Sequence, residues 1–294
     1  MQTAPRARLL LLCAAALFST GGAAIKWCSL SGWQVAGLRS LVAALAFLAF
    51  VPSARVRPTR AEWWIGAGYA LTMILFVVAN KLTTSANTIF LQSTAPFYIL
   101  LASPFLLGER IRGRDVVFLL AMAAGLALFF VDHEEGIATA PRPMLGNVLA
   151  LASGVFWATT VMGLRWLGRR GAGGEPGNGF GAVVAGNVLS FVICLPLAWP
   201  VEGAQVVDWT ILVYLGVFQI GLAYVCLTRA LRSLPAFEAS VILLVEPVLN
   251  PIWAWMLHGE RPGAWAFAGG AILIAATLIK TLVDARREVV PEAA

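Results

Sequence analysis

Glu246 stands next to Pro247 deep in an apolar run, with Asn250 following four residues later. On a helix that spacing puts a carboxyl and an amide on one face. An ionisable group at mid-membrane depth is costly and normally faces protein or water. Proline also lacks the amide hydrogen that would satisfy a preceding carbonyl. Such a face can receive an ammonium group or carry a proton, or it can be a polar pair supporting a kink. Thr84, Thr88 and Gln92 recur at four-residue spacing and lead to Tyr98. This lane either lines a cavity or bonds neighbouring helices. Ser19 with Thr20 and Ser153 with Trp157 add small hydroxyls, the latter beside an aromatic ring. Tyr69, Thr72 and Asn80, then Gln219 and Tyr224, are further polar candidates inside apolar runs. The chemistry on offer is binding through hydrogen bonds and a few charges.

Catalysis has little to work with. HExxH and GxxxxGK[ST] are both absent, so neither a zinc protease pattern nor a P-loop for ATP is present. The two histidines, His133 and His258, fall at the ends of apolar runs, which gives a Ser/His dyad little support. Cys13, Cys28, Cys194 and Cys226 lie in or beside apolar segments without CxxC spacing, so no metal site, disulfide framework or cofactor is expected. The net charge of +6 comes from short clusters between apolar runs, not one basic stripe, which argues against nucleic acid as a partner.

These residues must be positioned by membrane helices. The chain is 60% hydrophobic and 12% charged, with a mean hydropathy of +0.82. Apolar runs that are continuous, not alternating, predict helices instead of a barrel. Ten spans are expected, near Leu9–Trp27, Trp33–Val51, Trp63–Asn80, Ala86–Leu107, Asp115–Val131, Met144–Leu167, Phe180–Trp199, Trp209–Ala230, Ala236–Leu257 and Ala264–Leu282. Trp33, Trp63, Trp199 and Trp209 fit an interfacial belt. Arg6 and Arg8 before an apolar stretch imitate a secretion leader, but the stretch is long enough to be a retained helix.

Basic residues then alternate by side. Arg6/Arg8, Arg55/Arg57/Arg60, Arg110/Arg112/Arg114, Arg165/Arg169/Arg170, Arg229/Arg232 and Lys280/Arg286/Arg287 share one side, against Lys81, Arg142 and Arg261 on the other. The bias predicts both termini in the cytoplasm, with the acidic stretch 132–135 and the Glu202–Asp208 loop outside. Lys26, near the outer end of the first span, reads as a snorkelling side chain. Arg39, two turns into the second, reads as an ion pair or carbonyl contact before a substrate contact.

The chain also reads as a unit written twice. Pro96 recurs as Pro247, Gly108-Glu109-Arg110 as Gly259-Glu260-Arg261 and Ala79 as Ala230, each at an offset of 151. Five spans per copy make the second enter from the opposite side, giving inverted repeats over residues 1–131 and 132–294. Such a pair encloses a midplane site and works by rocking one half against the other. Glu109 and Glu260 are expected to favour the start of the helix that follows each turn, after a glycine ends the preceding one. Glu238 is expected to favour a helix start in the same way. The Gly-rich stretch Arg169–Gly179 reads as a flexible cytoplasmic connection. The small residues Ala264, Ala266, Ala268, Gly269, Gly270 and Ala271 read as tight packing in the last span.

Ten spans, the five-helix duplication and a Pro followed by Gly-Glu at the end of each fourth helix resemble the drug/metabolite transporter superfamily in its EamA-type branch. So do Ala-Leu-Phe-Ser-Thr-Gly ending at Gly21, Ala-Leu-Ala-Ser-Gly-Val ending at Val155, and Gly37-Leu38-Arg39. The resemblance implies an all-α polytopic fold with ten transmembrane helices as two inverted repeats. In it, helices 1, 3, 4, 6, 8 and 9 surround a central cavity, and helices 5 and 10 pack outside. The candidate cavity set is then Ser19, Tyr69, Thr72, Asn80, Thr88, Gln92, Tyr98, Ser153, Trp157, Gln219, Tyr224, Glu246 and Asn250. It further implies a secondary exporter of small metabolites, foremost amino acids, in a bacterial inner membrane. Lipid and substrate would be its partners, without an ATPase. Uptake, or exchange of an amine, nucleoside or nucleotide-sugar, is the alternative among transporters; an intramembrane enzyme or a scaffold is the alternative of another class.

Overall fold

The computed structural model describes residues 4–106, 113–131, 136–170, 179–230 and 242–288. Gly108-Glu109-Arg110, the acidic stretch 132–135, most of the Gly-rich connection and Glu238 lie outside the described residues. Among those described, regular structure is helical apart from one isolated bridge pair, Ile137 and Ala140. The helices are α1 (Ala4–Ser19), α2 (Gly21–Trp27), α3 (Gly32–Phe50), α4 (Arg60–Leu82), α5 (Ser85–Gln92), α6 (Ala95–Leu106) and α7 (Gly113–Leu128). They continue with α8 (Pro143–Arg170), α9 (Phe180–Ala198), α10 (Val206–Val213), a π-helical stretch Tyr214–Leu222, α11 (Ala223–Ala230), α12 (Val245–His258) and α13 (Ala264–Glu288).

Six helical stretches among the described residues are long and apolar enough to cross a membrane: Pro5–Trp27, Gly32–Phe50, Arg60–Leu82, Pro143–Leu164, Phe180–Ala198 and Val206–Leu227. Asp115–Leu128 and Ala264–Lys280 are apolar but shorter. Large apolar side chains face outward along these helices, among them Leu45 (57% exposed), Val117 (67%) and Phe267 (64%). A surface of this kind is solvated by lipid, where every backbone polar group must be satisfied within its own helix.

Breaks in the helices follow from local chemistry. In α1–α2 the chain reads Ser19-Thr20-Gly21-Gly22. The hydroxyls of Ser19 and Thr20 turn back onto the carbonyls of Ala16 and Leu17, both at 2.7 Å. Such bonds compete with the helical ladder. Pro96 cannot donate to the carbonyl of Gln92, and helix gives way at Ser93–Thr94. Pro247 likewise cannot donate to Leu243, and the turn falls at Leu244. The fourth expected span is therefore two short helices, not one rod, and the Thr84–Tyr98 lane is interrupted at Ser93. Thr84 caps α5, its hydroxyl accepting from the Asn87 amide at 3.1 Å.

Packing centres on α4, which lies against α8 and α9. α3 packs on α9 and on the π-helical stretch, α1 on α11 and α12, α5 on α8 and α12, and α7 on α13. The α7–α13 crossing is close: a Cβ on Gly125 would come within 3.1 Å of the Gly269 carbonyl.

Candidate functional site

The break at Thr20 brings the first helix against three others. A Cβ on Gly21 would meet the Gln219 amide nitrogen at 2.7 Å, and one on Gly22 would meet Asn250 Oδ1 at 2.8 Å and Ser85 Oγ at 3.0 Å. Two glycines thus let the fourth, eighth and ninth expected spans set amide and hydroxyl groups against the first helix. Asn250 is fully buried, and neither atom of its amide has a hydrogen-bond partner among the described residues. Asn80 is also fully buried; its oxygen accepts from Ser85 Oγ at 3.1 Å, while its nitrogen has no partner among the described residues. Unmet buried amides each cost about 1–3 kcal/mol, so this group holds binding capacity that packing does not use.

Gln219 sits in the π-helical stretch, a distortion frequent at functional sites. Its oxygen accepts from Arg39 Nη1 at 3.5 Å, and the Met73 carbonyl accepts from Nη2 at 3.3 Å. The contact expected of Arg39 is thus with carbonyls. Next to it the Tyr69 and Tyr224 rings meet edge-on at 5.4 Å, and Phe18 meets Tyr224 at 5.3 Å. The Tyr69 hydroxyl accepts from Asn187 at 3.2 Å. Trp157 is half-buried against this aromatic cluster.

A second group joins α5 to α8. Gln92 donates to Ser153 Oγ at 2.7 Å, and Ser153 donates to the Thr72 carbonyl at 3.2 Å. Thr72 itself bonds back to Gly68 at 2.9 Å. Ser19 is the matching serine of the first span and accepts from Trp253 Nε1 at 3.0 Å. Glu246, in the first turn of α12, is half-buried and makes no hydrogen bond or ion pair among the described residues. Thr88, one turn from both Ser85 and Gln92 on α5, and Tyr98 make other contacts. The Thr88 hydroxyl is spent on the Thr84 carbonyl at 3.0 Å, and the Tyr98 ring packs edge-on to Phe97 at 5.4 Å.

Several polar residues act differently from their sequence reading. Lys26 does not snorkel. It pairs with Glu260 at 2.8 Å, with side chains only 3% and 2% exposed, and it also reaches the carbonyls of Thr83 and Thr139. Glu260 does not serve the helix that follows it; its other oxygen accepts from the Ser85 amide at 2.9 Å, at the start of α5. Gly259 does end α12 in the left-handed region, at φ 67°. Asp208 falls in the connection expected on the outer side. It is fully buried, and accepts from the amide and hydroxyl of Ser29, both at 2.7 Å. Trp253 and His258, whose Nε2 contacts the Ala23 carbonyl at 2.9 Å, were missed because an aromatic ring at a lipid-like position carries no sequence sign of a polar partner.

A family model described as the EamA-like transporter family matches residues 6–131 and 144–282. The pseudopaline exporter CntI of Pseudomonas aeruginosa is 29% identical over 71% of this chain and 70% of its own. The aromatic amino acid exporter YddG of Ancylobacter novellus is 25% identical over 71% of each chain. A solved crystal structure at 22% identity covers 96% of this chain and 98% of its own, with a TM-score of 0.64, and supports the fold alone.

Proposed function

The chain belongs to the EamA-like transporter family, an integral membrane protein of the drug/metabolite transporter superfamily, and on that premise we propose that it exports small zwitterionic or amphipathic metabolites, amino acids foremost, by alternating access. The observation that carries this is the buried polar group around the first-helix break. Asn250 and Asn80 hold unspent hydrogen-bonding capacity there, with Gln219 against the same glycines, inside an otherwise apolar bundle. Both named relatives are exporters, of pseudopaline and of aromatic amino acids.

The duplication supports the mechanism. The family model matches two stretches, and each carries a helix break just ahead of the repeated proline. Packing comes in reciprocal sets: α1 on α11 as α4 on α8, α12 on α1 as α5 on α8, and the π-helical stretch on α3 as α4 on α9. These features support taking residues 1–131 and 132–294 as two inverted halves. One end of the bundle is tied shut by Lys26 with Glu260, Thr83 and Thr139 and by Asp208 with Ser29. Ser29, Thr83, Thr139, Asp208 and Glu260 belong to connections 1–2, 3–4, 5–6, 7–8 and 9–10, and Lys26 to the end of the first helix. With both termini cytoplasmic in a bacterial inner membrane, the tied end is the outer one, and export requires it to open.

The test is counterflow into liposomes carrying purified protein, with a panel of amino acids, amines and nucleosides. Saturable uptake of labelled amino acid against trapped unlabelled amino acid is expected. Rates equal to those of protein-free liposomes across the whole panel would reject the transport reading.

A further inference from the structure

Arg39 is a buried cation that the protein itself does not neutralise. It is 1% exposed, and its guanidinium stays charged in any protein environment. Its contacts are with neutral groups: Gln219 Oε1 at 3.5 Å, the Met73 carbonyl at 3.3 Å and Met73 Sδ at 3.6 Å. Among the described residues Nε has no acceptor, and no carboxylate pairs with the group. Charge-assisted bonds run near 2.7–2.9 Å, and the planar fork suits a carboxylate in two-point contact. The long contacts and the idle Nε leave most of that capacity unspent. Glu246 presents the opposite case, a carboxyl without an ion-pair partner among the described residues. Both groups lead to the break in the first helix: Arg39 contacts Gln219, which lies against Gly21, and Asn250, one turn after Glu246, lies against Gly22.

We propose that Arg39 is the carboxylate anchor of the transport site, and that the site takes an α-amino-acid-like zwitterion whose ammonium group lies toward Glu246. This rests on the exporter reading and narrows its substrate class. The unmet guanidinium and the unpaired carboxyl reach the same helix break through Gln219 and Asn250, which is the arrangement a zwitterion completes. A phosphate group would need more than one cation. Lys26, the other buried cation considered from sequence, is already committed to Glu260. The bland role for Arg39 is to brace the π-helical stretch against α4, and that role is blind to whether a ligand carries a carboxylate.

The experiment uses phenylalanine, leucine and serine, each beside its carboxamide, on the full-length protein. Two readouts are taken: ligand-induced thermal stabilisation in detergent and competition in counterflow. In the wild type at least one acid should act at a concentration tenfold or more below its amide. Arg39→Gln should raise that acid's effective concentration at least tenfold and leave the amide's unchanged, erasing the preference. Arg39→Lys keeps the charge but not the fork, and should retain a reduced preference at wild-type unliganded stability; it decides the matter if Arg39→Gln fails to fold. The proposal is overturned if the wild type does not separate acid from amide, if no probe binds, or if Arg39→Gln weakens acid and amide alike. It is also overturned if either variant keeps the wild-type ratio. Counterflow of an amine or nucleoside with no acid–amide preference would sink the Arg39 assignment while leaving the exporter reading in place.

Discussion

At the scale of single residues, side chains with unspent polar atoms separate from those whose bonds are already committed. Asn250 and Glu246 are of the first kind, Thr88 of the second. Glu246→Gln keeps volume and hydrogen-bonding shape but removes the titration. If Glu246 receives an ammonium or a proton, initial counterflow should fall on the order of tenfold, or about 1.4 kcal/mol, with a flatter pH profile. Curves that superimpose on wild type would return Glu246 to a polar group supporting the kink at Pro247. Gln92→Leu strips Ser153 of its 2.7 Å donor. A loss of about 1 kcal/mol in stability is expected, with a larger proportional loss of transport. Wild-type rates at equal membrane levels would remove Gln92, and by the same assay Trp157, from the cavity.

At the scale of elements, the first helix has to be broken. Gly21 and Gly22 admit Gln219 and Asn250 at distances where a methyl group would collide. Gly22→Ala is expected to cut transport severely while the protein still inserts, as read by counterflow against membrane abundance; an active Gly22→Ala would show that this approach is dispensable. The Lys26–Glu260 tie is a second element-scale device. Removing one partner of a buried pair leaves an uncompensated charge and costs about 3–5 kcal/mol, whereas replacing both is often neutral. Lys26→Met should therefore lower the unfolding temperature in detergent, and Lys26→Met with Glu260→Met should recover most of the loss. A double variant as unstable as the sum of the singles would show that the pair's worth lies in its bonds to Ser85 and Thr83, not in mutual neutralisation.

At the scale of the whole molecule, orientation is the testable quantity. Reporter fusions after Arg60, Arg112, Arg170 and Arg287 should read cytoplasmic, and fusions at Glu135 and Gly203 external. The motive is the basic asymmetry between the two sides. A reversed or mixed pattern would place the Lys26–Glu260 end inside and invert the direction of the gate.

Membership in the family, the helical membrane class and a candidate kink at Pro247 were legible in the sequence, whereas the break ahead of Pro96 was not expected. Each rests on chemistry local to the chain: apolar runs must form helices in lipid, prolines lack a donor, and Gly259 tolerates a positive φ. The Pro96 and Pro247 motifs carried the duplication because they stand at one offset. What local chemistry could not fix was pairing across the bundle. Lys26 and Glu260 are 234 residues apart, and Arg39 and Gln219 are 180. Whether a charged or amide side chain snorkels, caps a helix, braces a neighbour or stays free depends on which helix packs opposite it. Only the tertiary structure decides that, because burial turns a side chain's unspent hydrogen bonds from a matter of solvent into a cost that some partner must meet.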